Sequence, residues 1–364
     1  MKILVGMPAK DSWGGPIASE PPFVDALRSL GETVTEEVYV YGDKATPTAF
    51  FQRVARVVRT ALRFRGRLSS ESFDLIHLNT AFDLKTIFRD AFSIFVMAPG
   101  KTKVFLKIHG SEAERFERAG FPVSLLIKYL ARRVDGFGVH TREEKLAFAA
   151  LGIAAEKLYF VKNAITIAEN LPAGYVRPVK EKGAAIQLLF VSRFIPAKGL
   201  IETIKACAIL RDREIDFVLN CVGEGESRTE AERLTAELDL SSQVTFTGHI
   251  PEASVTEYLF SSDILVFPTS HSEGFPNVLF KAVAAGLPVV TTAIRAAADY
   301  LSEPENGLFC TADPKNIAAR LEHLINDPGL RSAMSDRNIA FGRTLAPGPI
   351  AEEFVAVYRQ ILEG

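Results

Sequence analysis

The chain has 364 residues, 48% hydrophobic and 24% charged, so at roughly 150 residues per domain two domains with a core each are expected. Lys and Arg number 42 against 44 Asp and Glu, a net charge of −2, which excludes a wholly basic nucleic-acid binder and an acidic disordered chain. Ordinary Gly and Pro counts, 25 and 19, exclude collagen-like and low-complexity chains.

Short apolar runs alternate with longer periodic segments. In the first half the runs predict strands at Lys2–Met7, Val34–Tyr41, Asp74–Leu78, Lys103–Ile108, Gly136–His140 and Leu158–Val161. Helices are predicted between them, among them Thr48–Phe64 and Pro122–Val134. The stretch Asn163–Ala185 holds Pro172, Gly174, Pro178 and the charged cluster Lys180–Lys182, and lacks periodicity, so it reads as a linker. The rhythm then restarts with strands at Ile186–Val191, Phe217–Val222, Val244–Phe246, Ile264–Phe267 and Pro288–Thr291. A second break, Ala346–Pro349, precedes a short amphipathic helix at Ile350–Leu362. Strand-helix alternation gives parallel sheets covered on both faces, and two such runs give two Rossmann-like, doubly wound α/β domains over residues 1–165 and 166–349.

Charge divides unevenly: residues 1–165 carry +6 and residues 166–364 carry −8. The basic excess concentrates in Arg53, Arg56, Arg59, Arg63, Arg65 and Arg67, with no acid from Phe51 to Ser70. Val54, Val57, Val58, Ala61 and Leu62 add an apolar stripe. Such a helix can sit on an anionic membrane surface, and the same pattern also describes a solvated face whose acidic neighbours lie elsewhere in the fold. Both readings stay open at this point.

Cys207, Cys221 and Cys310 are too widely spaced for a CxxC pair, so no disulfide framework is expected, which fits a reducing cytoplasm. The six histidines contain neither HxxxH nor HExxH, and no zinc site is expected. Pro8 breaks the apolar start too soon for a signal peptide, and the apolar stretch near Ala91–Ala98 is far short of a membrane span.

Three motifs fail. Pro99-Gly100-Lys101-Thr102 lacks the earlier glycine of a phosphate loop, since Phe95 stands there. Gly223-Glu224-Gly225 has Arg228 where a dinucleotide loop has its third glycine, so a nicotinamide cofactor is not expected. No GxSxG elbow exists, which argues against a hydrolase of that type.

Two segments carry chemistry. In Ile264–Thr292 a strand leads through Glu273-Gly274-Phe275-Pro276-Asn277 into a helix that Pro276 starts and Gly286 ends. The amides of that helix start form an anion site, while Glu273 can accept hydrogen bonds from a polyol and Asn277 can cap the helix or touch the ligand. The bland reading is a helix capped for stability alone. In Leu188–Ile201, Arg193 leaves the first strand of the second half and Lys198 follows at a helix start. Together a planar fork and a point charge could neutralise a diphosphate, or they are two surface cations.

Taken together, these segments resemble the retaining, nucleotide-sugar-dependent glycosyltransferases of family 4 (glycosyl transferases group 1), which have the GT-B architecture. The resemblance is strongest over Ile186–Asp327, in FVSRFIPAKG, VGEGES, VTFTGHIP, EGFPN and AAGLPVVTT. It is thinner in Trp13-Gly14-Gly15, in Lys107-Ile108-His109-Gly110 and in Val161–Ile165, where the family usually has Asn-Gly-Ile.

The resemblance implies two Rossmann-like domains facing across a cleft, with the helix 350–364 packed back onto the first. The donor would be a nucleoside diphosphate sugar held by the second domain. Arg193 and Lys198 would grip its diphosphate, aided by the backbone of Gly274, Phe275, Pro276 and Asn277, and Glu273 would bind the donor sugar. The turn at Gly248, His249 and Ile250 would lie near the base. Gly14 and Gly15 would let a loop approach the donor phosphate, and His109 would sit beside the transferred sugar. Trp13 could stack on an acceptor sugar or simply pack. Arg295 and Asp299, one helical turn apart, read first as a plain ion pair, and either could instead face the cleft.

One departure stands out. The family pairs Glu273 with a second glutamate eight positions on, which binds the ribose hydroxyls, and that position is Lys281. An ammonium only donates, so the usual contact cannot form there. Lys281 then donates to ribose or phosphate, or another acid takes over, or donor binding is lost. The expected activity is a retaining, metal-independent transfer to a glycan or lipid-linked acceptor in bacterial surface-polysaccharide synthesis, with no cofactor and no nucleic-acid partner. The expected location is the cytoplasm or the inner face of the plasma membrane. The alternatives are a non-catalytic sugar- or nucleotide-binding partner and a sugar-nucleotide epimerase of the same fold.

Overall fold

The computed structural model describes residues 1–9, 15–39, 50–172, 174–271 and 273–364. These form two compact units, Met1–Ala164 with Pro347–Gly364, and Ile165–Ala346.

The first unit runs β1 (Lys2–Met7), α1 (Gly15–Ser29), β2 (Thr33–Val38), α2 (Phe50–Ser70), β3 (Leu75–Phe82) and α3 (Leu84–Met97). It continues with β4 (Lys103–Ser111), α4 (Val123–Arg133), β5 (Gly136–Val139), α5 (Arg142–Ala150) and β6 (Leu158–Phe160). The second runs β7 (Ile186–Val191), α6 (Leu200–Asp212), β8 (Phe217–Val222), α7 (Arg228–Glu237), β9 (Val244–Gly248) and α8 (Glu252–Ser261). It ends with β10 (Ile264–Phe267), α9 (Asn277–Ala284), β11 (Val289–Thr292), α10 (Arg295–Tyr300), β12 (Gly307–Cys310), α11 (Pro314–Asn326) and α12 (Pro328–Thr344). The last helix, α13 (Pro347–Glu363), belongs to the first unit.

Each unit holds a parallel sheet, in the orders β2-β1-β3-β4-β5-β6 and β12-β11-β10-β7-β8-β9. The central strands read as nearly unbroken apolar runs because helices cover both faces, so their side chains meet a core rather than water, whereas the edge strand β2 (TVTEEV) stays partly exposed. β7, for example, buries Ile186, Leu188, Phe190 and their neighbour Leu189 completely. α3 is set by a capping box: the Asp83 carboxylate accepts from Thr86 N at 2.8 Å, and Thr86 Oγ1 accepts from Asp83 N at 2.9 Å.

Four expectations shift in detail. β2 is shorter than Val34–Tyr41, and Tyr41 lies outside the described residues, as does Thr48 of the helix predicted over Thr48–Phe64. α2 runs on to Ser70, because Gly66 alone does not stop a helix that has no proline and whose Arg67 is anchored to Glu37 at 2.9 Å. The edge strand β12 was not anticipated. The final helix starts at Pro347 rather than Ile350, and the unit boundary moves from 349/350 to 346/347. Proline fits the first turn of a helix, so the pair that looked like a break is a helix start. α13 packs against α1, with the Phe354 and Phe23 rings 4.6 Å apart.

Candidate active site

In the second sheet the chain winds outward in one direction from β7 through β8 to β9, and in the other from β10 to β12. Loops after β7 and β10 therefore part at their carboxyl ends, which is where open α/β sheets bind ligands. Those loops are residues 192–199 and 268–276. They are tied together: Ser270 N and His271 N both donate to Ala197 O, at 2.8 and 3.2 Å. Gly199 takes φ +78°, and a Cβ there would lie 2.6 Å from Pro268 O, so only glycine lets the loops touch. Gly223, after β8, is equally constrained, since a Cβ would lie 1.9 Å from Ser192 O. The Gly223-Glu224-Gly225 segment thus shapes the loop after β7; Phe194 N donates to Glu224 O at 2.8 Å.

This scaffold concentrates positive charge. Lys198 closes a short 3-10 turn, is only 4% exposed, and forms an ion pair with Glu273. Its ammonium also lies 5.7 Å from the centre of the Phe267 ring. Arg193 is exposed on the same loop. His271, a residue the sequence reading passed over, marks where the charges meet. Burial pushes its imidazole down, and the charges of Lys198, Arg193 and Arg295 all push it further the same way. Arg295 is buried and opens α10 with φ +43°, a conformation that costs a non-glycine residue about 1–3 kcal/mol. Its charge acts on His271, on the loop that also carries Glu273.

Burial pushes the Lys198 ammonium down to about 8, and Arg193 adds to the shift, while the Glu273 carboxylate favours the charged form. The sign is then fixed. Below about pH 8 the lysine is charged and can hold an anion; above it the charge is lost, where an ordinary lysine would keep it beyond pH 10. Affinity for a nucleoside diphosphate is expected to fall as pH rises through about 8, with proton uptake on binding near that pH. Calorimetry in buffers of different ionisation enthalpy reads that uptake; a flat affinity up to about pH 10 would contradict it.

α9 starts at Asn277 without a side-chain cap from Pro276. Phe275 stacks on Phe280 with ring centres 3.9 Å apart, and Tyr300 meets it edge-on at 5.8 Å, which fixes the loop that carries Glu273 and Gly274. The turn after β9 hangs on the same edge, because Gly223 N donates to Gly248 O at 3.0 Å. His249 is exposed and Ile250 partly so. Lys281, on α9, is buried, and its ammonium pairs with the exposed carboxylate of Glu252, the first residue of α8.

In the first unit, His109 lies near the carboxyl end of β4. Asn79 of β3 donates its amide to Gly6 O at 3.1 Å, which turns its Oδ1 toward His109 Nε2 at 2.7 Å. Nε2 therefore carries the proton. Burial holds the His109 imidazole well below its usual value, with Lys107, His140 and His77 adding to it, so the ring is neutral at physiological pH. Behind it lie Lys107 and Glu20, both fully buried and paired at 2.7 Å; Glu20 Oε1 is 3.6 Å from His109 Nε2. Trp13 and Gly14 lie outside the described residues; Gly15 is the first residue of α1.

Of the residues singled out in the second half, Arg193, Lys198 and Glu273 are thus gathered at one sheet edge, with the 247–250 turn on the same edge. Glu252, His271, Arg295, Glu20, Lys107 and Asn79 were missed or given no role. Signals existed for two of them: Lys107 and Asn79 are polar residues inside otherwise apolar strands, paired in register across β3 and β4.

The model for the glycosyl transferases group 1 family matches residues 176–340. A 2-deoxystreptamine glucosyltransferase of Streptomyces kanamyceticus is 27% identical over 214 residues, 57% of this chain and 55% of that one. The lipopolysaccharide core biosynthesis glycosyltransferase LpsE of Rhizobium meliloti is 28% identical over 177 residues, 48% of this chain and 49% of that one. The matched stretch thus spans about half the length of these curated relatives. The crystal structure of Anabaena HepE in complex with UDP and glucose superimposes with a TM-score of 0.72 at 17% identity, over 98% of this chain and 99% of that one. The two doubly wound units have the GT-B architecture. Over residues 176–340 the chain is similar to the glycosyl transferases group 1 family.

Proposed function

We propose that the protein transfers a sugar from a nucleoside diphosphate sugar to a hydroxyl of a glycan or lipid-linked acceptor, with retention of configuration and without a metal. The observation that carries this reading is the convergence of Lys198, Arg193 and Arg295 on the loop of Glu273, at the point where the second sheet changes winding direction. As the bond from the anomeric carbon to the phosphate oxygen breaks, negative charge grows on the diphosphate. Fixed cations and the backbone amides of Phe275 and Asn277, directed at that charge, lower the barrier. They supply the neutralisation that a divalent ion provides elsewhere. Glu273 orients the sugar hydroxyls, and the departing phosphate accepts the proton of the attacking acceptor hydroxyl. The first unit takes the acceptor, with neutral His109 assigned to the sugar in transfer. The lipopolysaccharide-core relative supports a role in bacterial surface glycans.

Thermal shift against UDP, GDP, ADP, dTDP and CMP, with and without Mg²⁺, tests the donor site. One diphosphate at a hundred times its dissociation constant is expected to stabilise by about 2.7 kcal/mol, equally with and without Mg²⁺. No response to any of them would overturn the reading.

The Lys281 departure is answered by its partner. We assign the ribose hydroxyls to Glu252, whose carboxylate Lys281 holds in place. Glu252→Gln is expected to weaken diphosphate binding about tenfold or more, the value of a charge-assisted hydrogen bond. Lys281→Glu should weaken it too, by setting two carboxylates against each other. A wild type silent toward every diphosphate, with Lys281→Glu responding, would instead mean that the lysine closes the site and the chain is a binding partner.

A further inference from the structure

Helix α3 exposes its apolar residues rather than burying them all. Leu84, Phe88, Phe92 and Phe95 stand at i, i+4, i+8 and i+11, within one stripe of the helix surface, and all four are exposed, Phe95 by 70%. Ile87, Ala91, Ile94 and Met97 on the adjoining face are buried and supply the core contacts, so the stripe is not needed for folding. The only acid within α3 is Asp90, buried and bound to Tyr39, Thr80 and Arg89.

α2 extends this surface. Arg65 Nη1 donates to Val96 O at 3.2 Å, which joins α2 to the end of α3. On α2, Val54 and Leu62 are exposed on the side toward Arg65, and Arg59 and Arg63 are exposed beyond them. Among the described residues no acidic side chain pairs with Arg56, Arg59, Arg63 or Arg65. An exposed aromatic stripe bordered by unneutralised arginines is larger and more ordered than scattered surface apolar groups.

We propose that the α2–α3 face docks on the surface of a bilayer containing anionic phospholipid, with the phenylalanines of α3 inserted at the headgroup–acyl boundary and the arginines of α2 on the phosphates. The charge is complementary: this half of the chain carries +6 against −8 for the rest. A second copy fits less well, because pairing the face with itself would bring the arginine rows together. No helix among the described residues is long and apolar enough to cross a membrane, so the contact lies on the surface. This inference stands apart from the reaction proposed above and does not depend on it.

Vesicle flotation of the full chain tests it, using phosphatidylcholine alone and phosphatidylcholine mixed with phosphatidylglycerol. Binding is expected at least about tenfold tighter to the anionic vesicles, since each arginine near such a surface contributes roughly fivefold. Phe88→Ser/Phe92→Ser/Phe95→Ser should abolish it. Arg56→Glu/Arg59→Glu/Arg63→Glu should remove the anionic preference. Phe95→Cys gives a site for a polarity-sensitive fluorophore, because Cys207, Cys221 and Cys310 are buried, and its emission should shift to the blue only with anionic vesicles. Equal binding to both vesicles, binding to neither, or binding untouched by these variants would overturn the proposal. A dimer in sedimentation that the phenylalanine variant splits would assign the face to a second copy instead.

Discussion

Replacing Lys198 by alanine is expected to lower the rate of sugar transfer by about a hundred- to a thousandfold, the loss seen when one preorganised group facing the developing charge is removed. Burial of the lysine sets the size of this effect. At 4% exposure the ammonium sits where water screens little, so its field acts on the diphosphate nearly undiminished. Arg193 is exposed, and Arg193→Ala should cost less because solvent and salt already weaken it. Folding should survive Lys198→Ala, since the carboxylate it leaves behind, Glu273, is 24% exposed and can be hydrated. The kcat should fall more than donor affinity, because charge on the leaving diphosphate is greater in the transition state than in the bound donor. Transfer within a factor of about two of wild type would remove Lys198 from the mechanism.

The strands that frame this site were legible because each is an apolar run with a polar residue just past its end. β7 followed by Arg193, and β10 followed by the polar loop that carries Glu273, are of that kind. β12 was not, since an edge strand of four residues that begins with Gly307 has neither length nor period. Its glycine is explained only by the neighbouring strand, where a Cβ would lie 2.4 Å from Val289 O. Helix ends failed for a local reason: Pro347 is both a breaker and a good first residue, and composition does not separate the two. Within the site, the positive φ and burial of Arg295 exist only in the fold, so its strained backbone had no signal in the sequence. Lys281 was recognised as a departure, but Glu252 is 29 residues away in the chain and follows an unremarkable proline. The same distance hid Glu20, which meets Lys107 across 87 residues. Alternation along the chain places backbones; it does not say which charges will share a pocket.

The Glu20–Lys107 pair carries the largest expected effect on stability. Both side chains are fully buried, and the ammonium lies 5.3 Å from the Phe23 ring and 5.2 Å from the Phe354 ring, so α1 and α13 close over it. Lys107→Met would leave the Glu20 carboxylate in that enclosure with no counter-charge. Its Oε2 already has no hydrogen-bond partner among the described residues. Breaking such a pair from one side costs about 3–5 kcal/mol, whereas replacing both partners with apolar groups of similar size is often neutral or stabilising. Urea unfolding near neutral pH should therefore show Lys107→Met strongly destabilised and Glu20→Leu/Lys107→Met close to wild type. If the double variant were as unstable as the single one, the pair would be serving hydrogen bonding and shape rather than charge balance. Its position 3.6 Å behind His109 adds a second readout. The double variant removes both the lysine charge that helps hold the imidazole low and the opposing carboxylate 3.6 Å from Nε2, so His109 should still titrate well below an exposed histidine, because burial is the main cause.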